Sequence, residues 1–329
     1  MPRQLTLLSL ILALGACSLP ESDPDPTTGG PSFALLSLDG NGPRLVAGEA
    51  GGAILTSDDG RNWRAWESGT LQPLGAIAWD GSRFTAIGYA VLALADDTQA
   101  NALLHSPDGI TWTVGTLNAH PLEYRRMIWT GSRLVAVGEG ILVSEDGDTW
   151  TEIPFPDELT ASPYLGDVIQ TAGRLIAVGC NTVLTSDDDG LNWTARDLPA
   201  LPDCLEGIAD DGTRLVALGG TGAIVTSDDG GLTWQRREAP ATPPHLSDVA
   251  AGDGGYVAVG NLGALLTSAD GIDWQLQTIP GEPILTRVTW TGDRFILVGR
   301  NSAVYSYTAS DGAEAASVDN GVYGIVPPP

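Results

Sequence analysis

Short apolar segments of five or six residues recur along the chain and are separated by polar turns rich in glycine and aspartate. One representative stretch reads MIWTGSRLVAVGEGILVSEDGDTW and covers residues 127–150. Apolar runs of this length, rich in valine, isoleucine and leucine and bounded by turn residues, are typical of β-strands. Short turns between consecutive runs favour antiparallel hairpins. The pattern therefore predicts an all-β protein built from short antiparallel strands.

The pattern repeats seven times between residues 33 and 307. In each copy we expect four strands, labelled A to D in chain order, with a serine near the end of strand C. In six copies a glycine and a tryptophan follow that serine, whereas the seventh copy begins at Ser306 and has lost the tryptophan. The serines lie about 40 residues apart, and four strands in each period of that length are typical of a β-propeller.

The segment from the serine to the tryptophan, called the serine–aspartate turn below, resembles the Asp-box or BNR repeat, S-x-D-x-G-x-x-W. Two copies match letter for letter and the first copy is one residue shorter; these three comprise Ser186, Asp188, Gly190 and Trp193, then Ser227, Asp229, Gly231 and Trp234, then Ser57, Asp59, Gly60 and Trp63. The resemblance implies a seven-bladed β-propeller with four-stranded antiparallel blades and these turns between strands C and D. Because such side chains hydrogen-bond to amides within a turn, we expect a structural role.

Antiparallel strands place the A–B and C–D turns at one end of a propeller and the B–C and D–A connections at the other. When the A strands are aligned, one column near their start reads Arg126, Asp167, Asp248 and Arg287 among small residues. Arg125 and Glu206 lie one position away from that column. One interpretation is a binding site for a charged or sugar-like ligand at the channel mouth. The other, which we favour, is a set of Arg–Asp pairs that neutralise each other around a wet channel.

Two cysteines, Cys180 and Cys204, fall in connections at the same end of the propeller. A disulfide between them suits an exported protein, and two free buried thiols are the alternative. No glutamate closes a calcium loop after Asp187-Asp188-Asp189-Gly190, and no H-x-x-H pattern occurs. We therefore expect no metal and no cofactor.

Composition narrows the choice of partner. The chain has 16 arginines, no lysine and 41 acidic residues, which give a formal net charge of −25. Nucleic-acid binding requires a basic surface, so this charge excludes it. An apolar content of 43% is sufficient for a sizeable core.

The two ends of the chain are expected to lie outside the propeller. Residues 1–16 have an apolar run too short to span a bilayer, and Leu14-Gly15-Ala16-Cys17 resembles the lipobox of bacterial lipoproteins. That resemblance implies cleavage before Cys17, acylation of its thiol and a location in the outer membrane. Residues 17–32 then form a Pro- and Asp-rich tether. Residues 308–329 are an acidic tail, in which 321–326 is expected to supply a ring-closing strand.

Two functions follow from these observations. The first is a monomeric, membrane-anchored binding or scaffold propeller without catalysis, which takes a protein or glycan partner. In unit length and in its turn motif the chain is similar to the photosystem II assembly-factor type of repeat protein. The alternative is a sialidase-type glycoside hydrolase with its site at the channel mouth. It would use Arg126, Arg287 and Arg300 as a triad and Tyr124 or Tyr164 as nucleophile, while Asp167 and Asp248 would suit a two-carboxylate glycanase.

Overall fold

The computed structural model describes residues 34–40, 42, 44–89, 100–159, 163–240 and 245–319. Within these ranges the chain forms 29 β-strands, most of them three to six residues long. None of the described residues belongs to a helix that is long and apolar enough to cross a membrane. The lipobox, the tether and residues 321–326 all lie outside the described residues.

The strands form six sheets. The first three sheets contain β1 (Leu35–Asp39), β2 (Leu45–Glu49), β3 (Ile54–Ser57) and β4 (Asn62–Trp66), then β5 (Leu74–Trp79), β6 (Phe84–Gly88), β7 (Ala102–Ser106) and β8 (Thr113–Thr116), then β9 (Tyr124–Trp129), β10 (Leu134–Gly138), β11 (Ile141–Ser144) and β12 (Thr151–Ile153).

The remaining three sheets follow in chain order. They contain β13 (Leu165–Thr171), β14 (Arg174–Gly179), β15 (Thr182–Ser186) and β16 (Thr194–Arg196), then β17 (Gly207–Asp210), β18 (Leu215–Thr221), β19 (Ala223–Ser227), β20 (Gln235–Arg236), β21 (His245–Gly252), β22 (Gly255–Gly260), β23 (Ala264–Ser268) and β24 (Gln275–Thr278), then β25 (Leu285–Trp290), β26 (Phe295–Gly299), β27 (Val304–Thr308) and β28 (Gly312–Ala315).

The prediction of an all-β propeller is confirmed, but the prediction of seven separate four-stranded blades is wrong. Four sheets have four strands, one has five and one has eight. The eight-stranded sheet joins the fifth and sixth repeats, because β18 continues through Gly220 and Thr221 and pairs there with Leu246 and His245 of β21. Gly220 has a positive φ of 45°, and a Cβ atom there would lie 2.2 Å from Cβ of Asp203, so the extension requires glycine.

Two strands of the C-terminal segment were not expected from the sequence. β28 pairs with β27 and supplies the outer strand of the last sheet. β29 (Ser317–Asp319) then pairs in parallel with β4, which adds a fifth strand to the first sheet. The last described residues therefore connect the last repeat to the first sheet.

Apolar residues fill the spaces between neighbouring sheets. Trp63 is 2% exposed and packs with Leu45 of its own sheet and Ile296 of the last sheet. The first strands of the repeats contact one another in turn, from β1 through β5, β9, β13, β17, β21 and β25 back to β1. These strands surround the central channel.

The serine–aspartate turns are held by their own side chains, as Ser186 illustrates. Its Oγ accepts a hydrogen bond of 2.9 Å from the amide of Gly190 and donates one of 2.9 Å to Oδ1 of Asp188. Trp193 donates its indole N–H to the carbonyl oxygen of Gly190 at 2.9 Å. Each turn therefore fixes a buried or partly buried tryptophan at the edge of its sheet.

Candidate functional site

β-bulges place the predicted column of charged residues in the channel. The pairing of the first strand with the second shifts register between Leu165 and Asp167, and again between Leu246 and Asp248. The same shift precedes Arg287, and an equivalent irregularity accompanies Arg126. An extra residue in one strand changes the direction of the side chain that follows it. The column thus lies just after the bulge, near the channel end that carries the B–C and D–A connections.

Asp167 and Asp248 join neighbouring inner strands. Both are 1% exposed. Oδ1 of Asp167 accepts from the amide of Val168 at 2.7 Å, and Oδ2 accepts from the amide of Ile208 in β17 at 3.0 Å.

The Asp248 carboxylate makes the equivalent contacts in β21 and β25. It accepts from the amides of Val249 and Val288, both at 2.9 Å. All four oxygens of the two carboxylates therefore serve as structural acceptors.

Arg126 lies between these two carboxylates. Its Nε is 3.0 Å from Oδ1 of Asp167 and its Nη1 is 3.9 Å from Oδ2 of Asp248. Burial disfavours the charge on Arg126, but Asp167 and Asp248 outweigh it and raise the pKa of the guanidinium. Burial also raises the pKa of Asp248, against the effect of Arg126 and with a further contribution from Asp167.

A second ion-pair group surrounds Arg125. Its Nη1 lies 2.9 Å from Oε2 of Glu206, and its Nε lies 3.7 Å from Oε1 of Glu123. The guanidinium is 5.4 Å from the ring centroid of Tyr164, whose hydroxyl donates to Glu123 at 2.7 Å. Burial raises the pKa of Tyr164, and Glu123 adds to the effect. The column of the aligned A strands does not contain Glu123, because Glu123 and Tyr164 come directly before strands β9 and β13.

Arg287 differs from the other two arginines. It is 5% exposed, and among the described residues no carboxylate lies within 4.0 Å of its guanidinium. Nη1 donates to the carbonyl oxygen of Thr286 at 3.0 Å and Nη2 to that of Arg125 at 3.3 Å, while the buried Nε has no partner. Burial lowers the pKa of Arg287. The Asp248 carboxylate opposes that effect only from beyond 4.0 Å. A buried cation without a direct anionic contact is costly, so this position favours binding of an anion.

A disulfide joins Cys180 and Cys204 beside the same end of the channel. The amide of Cys180 donates to the carbonyl oxygen of Tyr164 at 3.0 Å. The amide of Leu205, next to Cys204, donates to the carbonyl oxygen of Gly179 at 3.2 Å. The cross-link therefore connects the loop between the two cysteines to the residues around Tyr164.

Two residues of the alternative enzyme interpretation lie apart from the cluster. Tyr124 is 1% exposed and packs in the core with Leu142 and Trp150. Arg300 lies at the edge of the last sheet, where it forms an isolated β-bridge with Ala34. The described residues contain no group of three or more His, Cys, Asp or Glu side chains suited to a metal ion.

The arrangement of the strands defines the protein as a β-propeller. Comparisons with known proteins agree with this fold class. Residues 106–250 match the family described as the DUF6242 beta propeller domain. YCF48 from Cyanidioschyzon merolae is similar with a TM-score of 0.65 and 16% identity, over 85% of this chain and 96% of that chain. The structure titled YCF48 bound to D1 peptide has the same TM-score and identity, over 84% of this chain and 92% of that chain.

An enzyme has a similar fold. Virginiamycin B lyase from Staphylococcus aureus aligns with a TM-score of 0.61 and 13% identity, over 74% of this chain and 83% of that chain. No curated protein matches the sequence. At these identities the likenesses show the fold, and function must be argued from the site.

Proposed function

We propose that the chain is an exported, lipid-anchored, non-catalytic propeller whose channel mouth binds a peptide segment of a protein partner. The observation that carries the proposal is Arg287, a buried guanidinium whose Nε has no partner and which forms no ion pair within 4.0 Å among the described residues. A carboxylate of the partner, either at its C-terminus or on an acidic side chain, would supply the missing anion. Charge-assisted bidentate contacts of this kind are strong and directional.

The surroundings of Arg287 suit binding better than acid–base chemistry. Catalytic carboxylates need an oxygen that is free to reach the substrate. Both oxygens of Asp167 and both of Asp248 accept backbone hydrogen bonds instead. Arg125 and Tyr164 add a cation and an aromatic ring at the mouth, groups that are enriched where proteins bind peptides. The similar fold of YCF48, in a structure that contains a D1 peptide, also supports a peptide-binding role.

Export and anchoring are supported by the sequence alone. Leu14-Gly15-Ala16-Cys17 follows a short apolar run, and a Pro-rich segment separates it from the first strand. Anchoring on Cys17 would hold the propeller close to a membrane. Mass spectrometry of the mature N-terminus tests this part, because a Cys17→Ser variant must lose both the cleavage and the added lipid mass.

Selection from a random-peptide display library, performed on residues 34–329, tests the binding role. We expect enrichment of peptides that share a carboxylate at one position and lose binding when it is replaced by an amide. Arg287→Gln must reduce binding at least about tenfold. Arg174→Gln is the matched control, since it removes an equal charge from the other end of the propeller, where Arg174 pairs with Asp187 at 2.7 Å. Equal loss in both variants, or no enrichment, contradicts the proposal.

A second candidate, the sialidase-type hydrolase, is favoured by one contact. Sialidases use a Tyr–Glu pair as nucleophile, and the hydroxyl of Tyr164 donates to Glu123 at 2.7 Å beside Arg125. Turnover of a fluorogenic sialoside that disappears in Tyr164→Phe would replace the binding proposal. Burial raises the pKa of Tyr164, so in this mechanism Glu123 would have to accept the phenol proton as the oxygen attacks.

A further inference from the structure

One sheet junction differs from the others at the end of the propeller opposite the charged channel mouth. In six repeats the glycine of the serine–aspartate turn packs on the second strand of the preceding repeat. A Cβ atom at Gly60 would lie 2.4 Å from Ile296, and one at Gly271 would lie 2.5 Å from Val216. These turns therefore cover the gap between neighbouring repeats.

The last repeat has no such turn. The serine pairs with the first residue of strand B elsewhere, as Ser57 does with Leu45, but in the last sheet Tyr307 pairs with Phe295. The residue of the last repeat that corresponds to the serine is therefore Tyr307, and not Ser306 as the sequence pattern indicated. Ala309 then takes the position of the aspartate, and no tryptophan follows. The residue at the equivalent position of β22 is Val257, which is 3% exposed because other core side chains bury it.

A groove of about 610 Å³ lies at this uncovered junction. Val257 lines it together with an aromatic wall formed by Trp290, Phe295 and Tyr307. The ring centroids of Trp290 and Phe295 are 4.6 Å apart, and those of Phe295 and Tyr307 are 6.3 Å apart. Its volume falls within the range of pockets that bind small ligands or short peptide segments.

The charge of the groove is entirely negative. Asp253, Asp270, Asp273 and Asp293 line it, and no arginine or histidine does so among the described lining residues. Asp270 binds within its own turn and Asp293 pairs with Arg294. The carboxylates of Asp253 and Asp273 make no hydrogen bond or ion pair with any described residue.

We propose that this groove binds an arginine-containing segment of a partner protein. A guanidinium stacks on aromatic faces and pairs with carboxylates, and this groove offers the partly exposed ring of Trp290 and the unpaired carboxylates of Asp253 and Asp273. The site is independent of the proposed function, since it shares no residue with the channel mouth.

Two peptides of equal shape provide the first test, acetyl-Gly-Arg-Gly-amide and the same peptide with citrulline. The indole N–H resonance of Trp290, assigned with Trp290→Phe, reports occupancy. We expect a saturable shift with the arginine peptide and binding of the uncharged peptide that is weaker by about tenfold. Equal affinity for both peptides, or no saturable shift with either, overturns the proposal.

Variants locate the site. Asp253→Asn combined with Asp273→Asn must weaken binding of the arginine peptide by about tenfold. Ala309→Trp, which fills the groove without changing its charge, must abolish the shift of the Trp290 resonance. Asp197→Asn, an exposed aspartate in a distant loop, is the matched control and must bind as the unaltered protein does. Equal weakening by Asp197→Asn would mean attraction by net charge only and would overturn the proposal. Arg287→Gln must leave this binding unchanged, which separates the result from that at the channel mouth.

Discussion

The Nε atom of Arg126 lies 3.0 Å from Oδ1 of Asp167, and this ion pair crosses from inner strand β9 to inner strand β13. Asp167 also accepts the amide of Ile208 in β17, so one chain of polar contacts connects three neighbouring strands. Because Asp167 is 1% exposed, the contacts operate in a low-dielectric setting where they are strong when complete and costly when broken.

Replacing Arg126 by methionine tests that reasoning. The variant would remove the ion-pair partner of the buried Asp167 and Asp248 carboxylates, so we expect the free energy of unfolding at pH 7 to fall by about 3 kcal/mol. Urea unfolding followed by tryptophan fluorescence measures it. Arg174→Met is the control: the Asp187 side chain in its ion pair is 66% exposed, so the loss there should stay below about 1 kcal/mol. Equal losses would show that the channel pairs contribute no more than a surface pair.

The repeat pattern predicted much of this arrangement. It identified Arg126, Asp167, Asp248 and Arg287 as one column, because each comes directly before the same apolar position near the start of an inner strand. It did not show which arginine would lack a partner, since that depends on how the bulges and the ring curvature direct each side chain. Glu123 was missed because it precedes its strand.

Two deviations of the fold had weaker sequence signals. The joining of the fifth and sixth repeats depends on Gly219 and Gly220, which look like an ordinary turn in the sequence. The pairing of Ser317–Asp319 with β4 involves residues with little apolar periodicity, because the strand lies at a sheet edge and is largely exposed.

Glu49 should make stability depend on pH. It is 1% exposed at the end of β2, and burial raises its pKa from 4.5 to about 7, against the effect of the amides of Gly51, Ala53 and Ala34. The folded state therefore keeps a proton that the unfolded state releases near pH 4.5, so this contribution to stability is lost as pH rises towards 7.

The variant Glu49→Gln removes this titration. Its stability relative to the unaltered protein should increase between pH 4.5 and pH 7, by on the order of 2 kcal/mol. Urea unfolding at several pH values measures the difference, and Glu145→Gln, at an exposed position, should show no such change. A constant difference between Glu49→Gln and the unaltered protein over this pH range would mean that Glu49 is charged in the folded state.

Each serine–aspartate turn should stabilise the fold in two separable ways, through its hydrogen bonds and through the packing of its tryptophan. Ser186→Ala removes the acceptor for the amide of Gly190 and should cost about 1 kcal/mol. Trp193→Ala removes a side chain that is 7% exposed and should cost about 3 kcal/mol or more. Ser310→Ala, in the last repeat, has an exposed hydroxyl and should change stability by less than about 0.5 kcal/mol. Thermal unfolding of the three variants tests this order, and a large effect of Ser310→Ala would contradict it.

The disulfide between Cys180 and Cys204 should stabilise the fold mainly through the unfolded chain. It links residues separated by 24 positions, and closing a loop of that length is worth about 3 kcal/mol in the chain-entropy model. Reduction should therefore lower the midpoint of urea unfolding for the unaltered protein. The double variant Cys180→Ser/Cys204→Ser should already have the lower midpoint, and the reductant should not change it.

Because Cys180 also donates its amide to Tyr164, the same variant should weaken peptide binding at the channel mouth more than Arg174→Gln does. An unchanged midpoint after complete reduction would show that the connection around Tyr164 is already fixed by its backbone hydrogen bonds.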